Sequence, residues 1–121
     1  MVTPSGTRAG GITPGGGLPA SVKRVLVLGG SRSGTSAAIA VAGLGRQVLL
    51  SDRRAAADLP GLRAVLEAGA AYVLEDSLAT AWPQPDLVIK SPGVPAESAP
   101  VVLAEKWGVP VWSELELAYA L

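Results

Sequence analysis

The chain has 121 residues, of which 49% are hydrophobic, with ten basic and ten acidic side chains and neither histidine nor cysteine. This length predicts one domain with a single modest core, and the balanced charge gives no electrostatic footprint for nucleic acid. The missing histidine and cysteine exclude disulfides, thiolate or imidazole metal sites and histidine-dependent catalytic triads.

Residues 1–22 consist largely of Gly, Pro, Ser and Thr. Ordering such a segment costs entropy with almost no apolar surface to bury, so a disordered, flexible leader is expected there. The segment lacks the charged and apolar regions of a signal peptide, and no apolar run approaches the ~20 residues that span a bilayer. We therefore expect a cytoplasmic location and no membrane partner.

A strand, a Gly/Ser turn and a helix follow the leader. Arg24–Leu28 is a β-branched apolar run, and an Ala-rich helical pattern occupies about Ser33–Leu44. A helix N-terminus just beyond a buried strand is suited to a phosphate or diphosphate, because free N–H groups and the helix dipole converge there. Gly29 and Gly34 hold the outer positions of the dinucleotide fingerprint G-x-G-x-x-G, but Ser31 occupies the middle one. Such glycines also serve simple tight turns and close helix–strand packing.

The second predicted strand, Gln47–Ser51, is followed by Asp52, which lies 23 residues after Gly29. A dinucleotide-binding βαβ unit carries a carboxylate at about this spacing of 20 residues. Two roles are open for Asp52. It is either a turn or cap residue, or an acceptor of hydrogen bonds from a nucleotide's sugar or base.

Strands and helices continue to alternate through the rest of the chain. The predicted elements are a helix over Leu62–Ala68, a strand over Ala71–Leu74, a helical turn near Leu78–Trp82, a strand over Asp86–Lys90, a helix from Ser98 (N-cap) to Gly108, a strand over Val109–Trp112 and a helix opening with a capping box at Ser113–Glu116. This order predicts an α/β fold, a Rossmann-like five-stranded parallel sheet in the order 3-2-1-4-5 with helices on both faces.

Ligands bind such sheets beyond the carboxyl ends of the strands, where the strand order reverses. Four basic residues, Arg32, Arg53, Arg54 and Lys90, fall at or just after these predicted strand ends, against Asp52 alone. The cluster is either an ordinary solvated edge or a local positive field for a diphosphate.

Four ordered segments, residues 27–34, 51–54, 86–95 and 108–117, together resemble the N-terminal domain of the Mur ligases. The match is best with the D-glutamate-adding branch of that family. The Ser-Pro-Gly-Val-Pro segment of residues 91–95 and the Glu-Leu-Glu-Leu ending at 114–117 discriminate more than the glycine turn does. The resemblance covers about residues 23–121, which we take as the domain.

This resemblance implies that the domain holds the UDP end of UDP-N-acetylmuramoyl-L-alanine. By matching positions, the turn faces the diphosphate, the end of strand two lines the uracil, and the loop after strand four borders the substrate. The implied substrate-binding residues are Gly30, Ser31, Arg32, Ser33, Gly34, Asp52, Arg53, Arg54, Ser91, Pro92 and Gly93. Two of them depart from the family pattern, because Ser31 stands where Gly is common and Arg53 where a smaller residue is common.

The family's ATP-binding phosphate loop, G-x-x-x-x-G-K-[ST], is absent from these 121 residues. We therefore expect no cofactor and no catalytic residue in this chain; ATP and Mg²⁺ would bind only to the ATPase and C-terminal domains of a full ligase, its expected partners. The chain would then be an isolated domain, a fragment or a truncated product. Two other interpretations stay open, an NAD(P)-binding module of a dehydrogenase or nucleotide sensor, and a silent interaction domain.

Overall fold

The computed structural model describes residues 15–78 and 83–121. Over these two ranges, five strands alternate with four α-helices, and two short 3-10 turns occupy Ala56–Asp58 and Glu75–Ser77. In chain order the elements are β1 (Arg24–Leu28), α1 (Arg32–Gly43), β2 (Gln47–Asp52), α2 (Leu62–Glu67), β3 (Ala71–Leu74), β4 (Leu87–Lys90), α3 (Ala99–Trp107), β5 (Val111–Ser113) and α4 (Glu114–Ala120). Within these ranges, no helix has the length and apolar character needed to cross a membrane.

The strands form one parallel sheet in the order β3-β2-β1-β4-β5, which confirms the predicted topology. β1 is central, and its last residue, Leu28, is in register with Ser51 of β2 and Lys90 of β4. The carboxyl ends of these three strands therefore lie side by side. This is the edge at which the chain order reverses, where open parallel sheets bind ligands.

Helices cover both faces of the sheet, as predicted. Residues of α1, α2 and α4 pack with one side of the strands in the larger core, which includes Val41, Val65 and Leu117. α3 packs on the other side, where Val101 and Ala104 belong to the second core. Since β1, β2 and β4 are mostly buried, on both faces of the sheet, they are nearly continuous apolar runs rather than alternating ones.

The described part of the predicted leader, residues 15–22, contacts the rest of the domain. The Gly15 and Gly17 amides donate to carbonyl oxygens at the end of α4, and Leu18 is buried in the larger core. The Arg46 guanidinium donates to the carbonyls of Leu18, Pro19 and Val22. Two backbone hydrogen bonds, one apolar side chain and one cation thus hold a segment whose composition alone predicts disorder. Residues 1–14 lie outside the described residues, so the flexible leader stays a prediction there.

The predicted boundaries differ from the structure by one or two residues at several ends. β5 begins at Val111 instead of Val109, because the intervening proline has no N–H to donate to the sheet. β4 begins at Leu87, and the Asp86 carboxylate just before it accepts hydrogen bonds from the Lys23 and Arg24 amides. The helical turn predicted near residues 78–82 falls mostly on 79–82, which lie outside the described residues.

Candidate functional site

A cleft of about 560 Å³ opens at the carboxyl ends of β1, β2 and β4. It lies on the side of the sheet that α3 covers, between the end of β2 and the segment from residue 91 to the start of α3. Six of the predicted site residues line it, namely Ser31, Asp52, Arg53, Arg54, Ser91 and Gly93. The position is the one expected for a ligand in an open parallel sheet.

The glycines of the turn after β1 are required by packing. A Cβ atom on Gly34 would lie 1.9 Å from the Gly29 carbonyl oxygen, and one on Gly29 would lie 2.9 Å from the Ser91 side chain. Gly29 also has a φ of 102°, which other residues rarely adopt. These two positions therefore need glycine whether or not a ligand binds.

Ser31 caps α1. Its Oγ accepts a hydrogen bond from the Gly34 amide at 3.3 Å, so the helix begins at Arg32, one residue before the predicted Ser33. A serine hydroxyl at this position satisfies one of the amides that a helix start leaves without a partner. Glycine here would leave that amide to solvent or ligand, so the departure from the family pattern has a direct local effect.

Asp52 links the turn after β1 to the turn after β2. Its Oδ2 accepts from the Gly30 amide at 2.7 Å and from Arg54 Nη2 at 3.0 Å, while its Oδ1 accepts from the Arg54 amide at 2.8 Å and Nε at 3.1 Å. Partial burial raises the pKa of this carboxyl, but the hydrogen bonds from Arg54 and Gly30 outweigh it and lower the pKa to about 2.

These four hydrogen bonds fill the acceptor positions of the Asp52 carboxylate, which number about four. A hydrogen bond from Asp52 to a nucleotide's sugar or base therefore requires Arg54 to release a contact. The direct ligand role of Asp52 stays a prediction. Its bracing of the Gly30 and Arg54 positions is what the structure shows.

The four predicted cations do not share one cleft. Arg53 and Arg54 line it, whereas Arg32 lies in the neighbouring groove between α1 and α4 together with Ser33. Lys90 Nζ donates to the Val94 carbonyl at 2.7 Å and so holds the loop after β4. Of the four predicted cations, only the two at the end of β2 thus line the cleft, which Asp52, Glu75 and Glu97 also line.

The other predicted positions differ in exposure. Gly30 and Gly34 are buried, and their amides already donate to Asp52 Oδ2 and Ser31 Oγ, so a ligand would have to replace one of these contacts to bind either amide. Gly93 lines the cleft, while Pro92 lies in a separate groove beside α4. Ser91 is 2% exposed, so it reaches the cleft only at its floor.

Ser91 joins three elements. Its Oγ donates to Glu114 Oε2 at 2.5 Å, and the Ser31 Oγ lies 3.5 Å from it. The hydroxyl therefore connects the turn after β1, the end of β4 and the start of α4. Sequence reasoning treated Glu114 only as part of the capping-box segment, because nothing in a sequence reveals a partner 23 positions away.

Four further polar residues line the cleft and were not predicted as site residues from the sequence: Ser51, Glu75, Glu97 and Ser98. Ser51 is a polar residue in the otherwise apolar run of β2, and that contrast was the available signal. Ser98 was identified only as an N-cap. It does precede α3, but its side chain makes no capping hydrogen bond.

The known proteins that this chain resembles include a dehydrogenase-type family and ligases. The family model described as alanine dehydrogenase/PNT, C-terminal domain, matches residues 4–107. Curated relatives are UDP-N-acetylmuramoylalanine–D-glutamate ligases, one from Shouchella clausii at 37% identity over 82% of this chain and 22% of the relative. Another, from Anaeromyxobacter dehalogenans, is 42% identical over 78% of this chain and 21% of the relative.

A solved structure agrees with these sequence relatives. UDP-N-acetylmuramate–alanine ligase from Thermotoga maritima matches with a TM-score of 0.63 and 25% identity, over 77% of this chain and 21% of that protein. The chain thus spans about a fifth of the length of the relatives it matches. The resemblance to the N-terminal domain of the Mur ligases is confirmed.

Proposed function

We propose that this chain binds UDP-N-acetylmuramoyl-L-alanine. It would do so for an ATP-dependent D-glutamate ligase of cytoplasmic peptidoglycan synthesis. The chain belongs to the alanine dehydrogenase/PNT C-terminal domain family, and it is a domain of the Mur ligase type. The supporting observation is the cleft beyond β1, β2 and β4, lined by Arg53, Arg54, Ser91 and Gly93. Its volume of about 560 Å³ is within the range of small-molecule sites, roughly 300–1,000 Å³.

The diphosphate is proposed to lie over the start of α1. Ser31 lines both the cleft and the adjoining groove, so the helix start lies between Arg53 on one side and Arg32 on the other. The helix dipole and two cations would then favour a doubly charged group at this point. The uracil is proposed to enter the cleft beside the Asp52–Arg54 pair.

The proposed role is substrate binding without catalysis by this chain. Transfer of a phosphoryl group from ATP needs a phosphate-binding loop and Mg²⁺ ligands. The sequence has no G-x-x-x-x-G-K-[ST] segment. The ATPase and C-terminal domains of a ligase are accordingly the proposed partners for ATP, Mg²⁺ and amide-bond formation.

A second candidate, an NAD(P)-binding module, is favoured by the description of the matching family. In dinucleotide-binding sheets the acid after strand two accepts from the adenosine ribose. The corresponding Asp52 carboxylate is occupied by Gly30 and Arg54, and Ser31 replaces the middle glycine. Neither observation separates the two candidates, because an occupied Asp52 is equally closed to a uracil and Ser31 departs from both glycine patterns. The ligase relatives are what favours the nucleotide-sugar proposal.

Calorimetric titration of the 121-residue chain with UDP-N-acetylmuramoyl-L-alanine, NADH and NADPH separates these functions. We expect binding of the UDP-sugar alone, weakened about two- to five-fold in Arg53→Ala, which is the size of an exposed charge contact. The loss should shrink at high salt, because exposed charges are screened.

Arg63→Ala is the matched control, since Arg63 is an exposed arginine on α2, paired with Glu67 at 3.2 Å. It should bind as the unmodified chain does. Tight NADH or NADPH binding without UDP-sugar binding would overturn the proposal in favour of the dehydrogenase-type module. Binding of none of the three ligands would leave the silent interaction domain.

A further inference from the structure

Two buried serine hydroxyls lie at the cleft without a partner. Ser51 is 2% exposed and ends the buried part of β2. Among the described residues, the Oγ atoms of Ser51 and Ser98 are both buried and make no hydrogen bond. Both residues line the one cleft described above.

An unpartnered buried hydroxyl lowers stability, because it loses its hydrogen bonds to water on folding and regains none. Ser51 lies on the same face of β2 as Leu49, which belongs to the core on the α3 side. Leu28, which pairs with Ser51 in the sheet, belongs to the same core. An apolar side chain at position 51 would continue that core. Buried polar atoms without a hydrogen bond are rare in folded proteins, and a ligand that binds them is one explanation.

Ser98 gives an independent observation of the same kind. A serine at an N-cap usually accepts from the amide of the second or third helical residue. Here the second helical residue is Pro100, which has no N–H, and the Ser98 side chain makes no capping bond. The hydroxyl that heads α3 is thus not used by its own helix.

We propose that Ser51, assisted by Ser98, is a further binding residue of this cleft and takes the polar edge of a pyrimidine base. A hydroxyl can donate to a ring carbonyl and accept from a ring N–H, and the base edge carries both groups. Ligand atoms would thereby satisfy the two hydroxyls that the protein leaves unpaired. This inference rests on the proposed function, because the base belongs to the UDP moiety.

The test compares the 121-residue chain with Ser51→Ala, using uridine, UDP and pyrophosphate as probes in calorimetry. We expect the affinities for uridine and UDP to fall about three- to ten-fold, the size of one lost hydrogen bond. Pyrophosphate binding should not change, since it has no base. Ser98→Ala should weaken the same two probes.

Stability is the second measurement. Ser51→Ala should melt at the same or a higher temperature, because the alanine leaves no unpaired hydroxyl. Ser21→Ala, which alters an exposed serine before β1, should change neither binding nor melting.

Unchanged UDP affinity in Ser51→Ala, with UDP still bound by the unmodified chain, would overturn this inference alone. A lower melting temperature of Ser51→Ala would also overturn it, because the hydroxyl would then have a partner inside the protein. Failure of the unmodified chain to bind UDP at all would overturn the inference together with the proposed function.

Discussion

Replacing Asp52 with asparagine removes the negative charge that joins the turns after β1 and β2. The amide side chain keeps the size of the carboxylate but has one acceptor oxygen instead of two. It cannot accept from both Gly30 and the two Arg54 groups that Asp52 binds at 2.7 to 3.1 Å. We expect Asp52→Asn to destabilise the domain at neutral pH.

The pKa of Asp52 sets the magnitude. Its lowering from 3.8 to about 2 corresponds to roughly 2.4 kcal/mol at about 1.36 kcal/mol per pKa unit. The Asp52 side chain is 12% exposed, but that of Arg54 is 51% exposed. Solvent screening at the exposed partner reduces the contribution to the free energy of unfolding to about 1–2 kcal/mol.

The sign of the pH dependence follows from the folded pKa being the lower one. The stabilisation is present above the unfolded pKa of about 4 and is lost as the pH falls through the folded value near 2. Asp86, whose pKa is also lowered by the Arg24 and Lys23 amides, contributes in the same direction. The Asp86 contribution is the same in the unmodified chain and in Asp52→Asn, so the difference between their free energies of unfolding isolates Asp52.

Urea denaturation of the two proteins at about pH 7 and about pH 2 measures this difference. We expect Asp52→Asn to be about 1–2 kcal/mol less stable at the higher pH and nearly equal at the lower one. Asp76→Asn, which changes an exposed carboxylate, is the control and should have little effect. A gap of the same size at both pH values, or no gap at neutral pH, would refute the electrostatic argument.

The remaining predictions concern packing. Gly34→Ala places a Cβ 1.9 Å from the Gly29 carbonyl oxygen and should lower the free energy of unfolding by about 2 kcal/mol or more. The control, Gly43→Ala in the same helix, has nothing within 4 Å of its Cβ and should be neutral or stabilising. Equal urea midpoints for the two variants would contradict this prediction. Arg46→Ala removes the donor to the carbonyls of residues 18, 19 and 22, so limited proteolysis should cut the 15–22 segment faster than in the unmodified chain. An unchanged cleavage rate would show that Arg46 does not hold the segment.

Much of the fold could be predicted because each element carries its own local signal. The apolar run of β1 predicted Arg24–Leu28 with the bounds that the structure has. The capping box at Ser113 and Glu116 is present in full. Short connections between strands and helices were enough to indicate the parallel order of the sheet.

The site was less predictable, since its contacts join residues that are distant in sequence. The position of Asp52 followed from spacing, but its hydrogen bond to the Gly30 amide, 22 residues away, did not. The bond from Ser91 to Glu114 and the burial of Leu18 are of the same kind. Composition predicted a leader through residue 22, because composition takes no account of the burial of Leu18 or of the contacts that Arg46 makes with this segment.

The glycine turn explains why a dehydrogenase-type family model and ligase relatives match the same residues. Gly29 and Gly34 are fixed by contacts within the protein, with the Ser91 side chain and with the Gly29 carbonyl. A fingerprint required by packing is expected in any sheet that begins with this strand, turn and helix, whatever ligand it holds. Discrimination between a dinucleotide and a nucleotide-sugar must therefore reside in the side chains around the cleft, at the end of β2 and in residues 91–99. Substitutions at Arg53 and Ser51 test that region without disturbing the glycines.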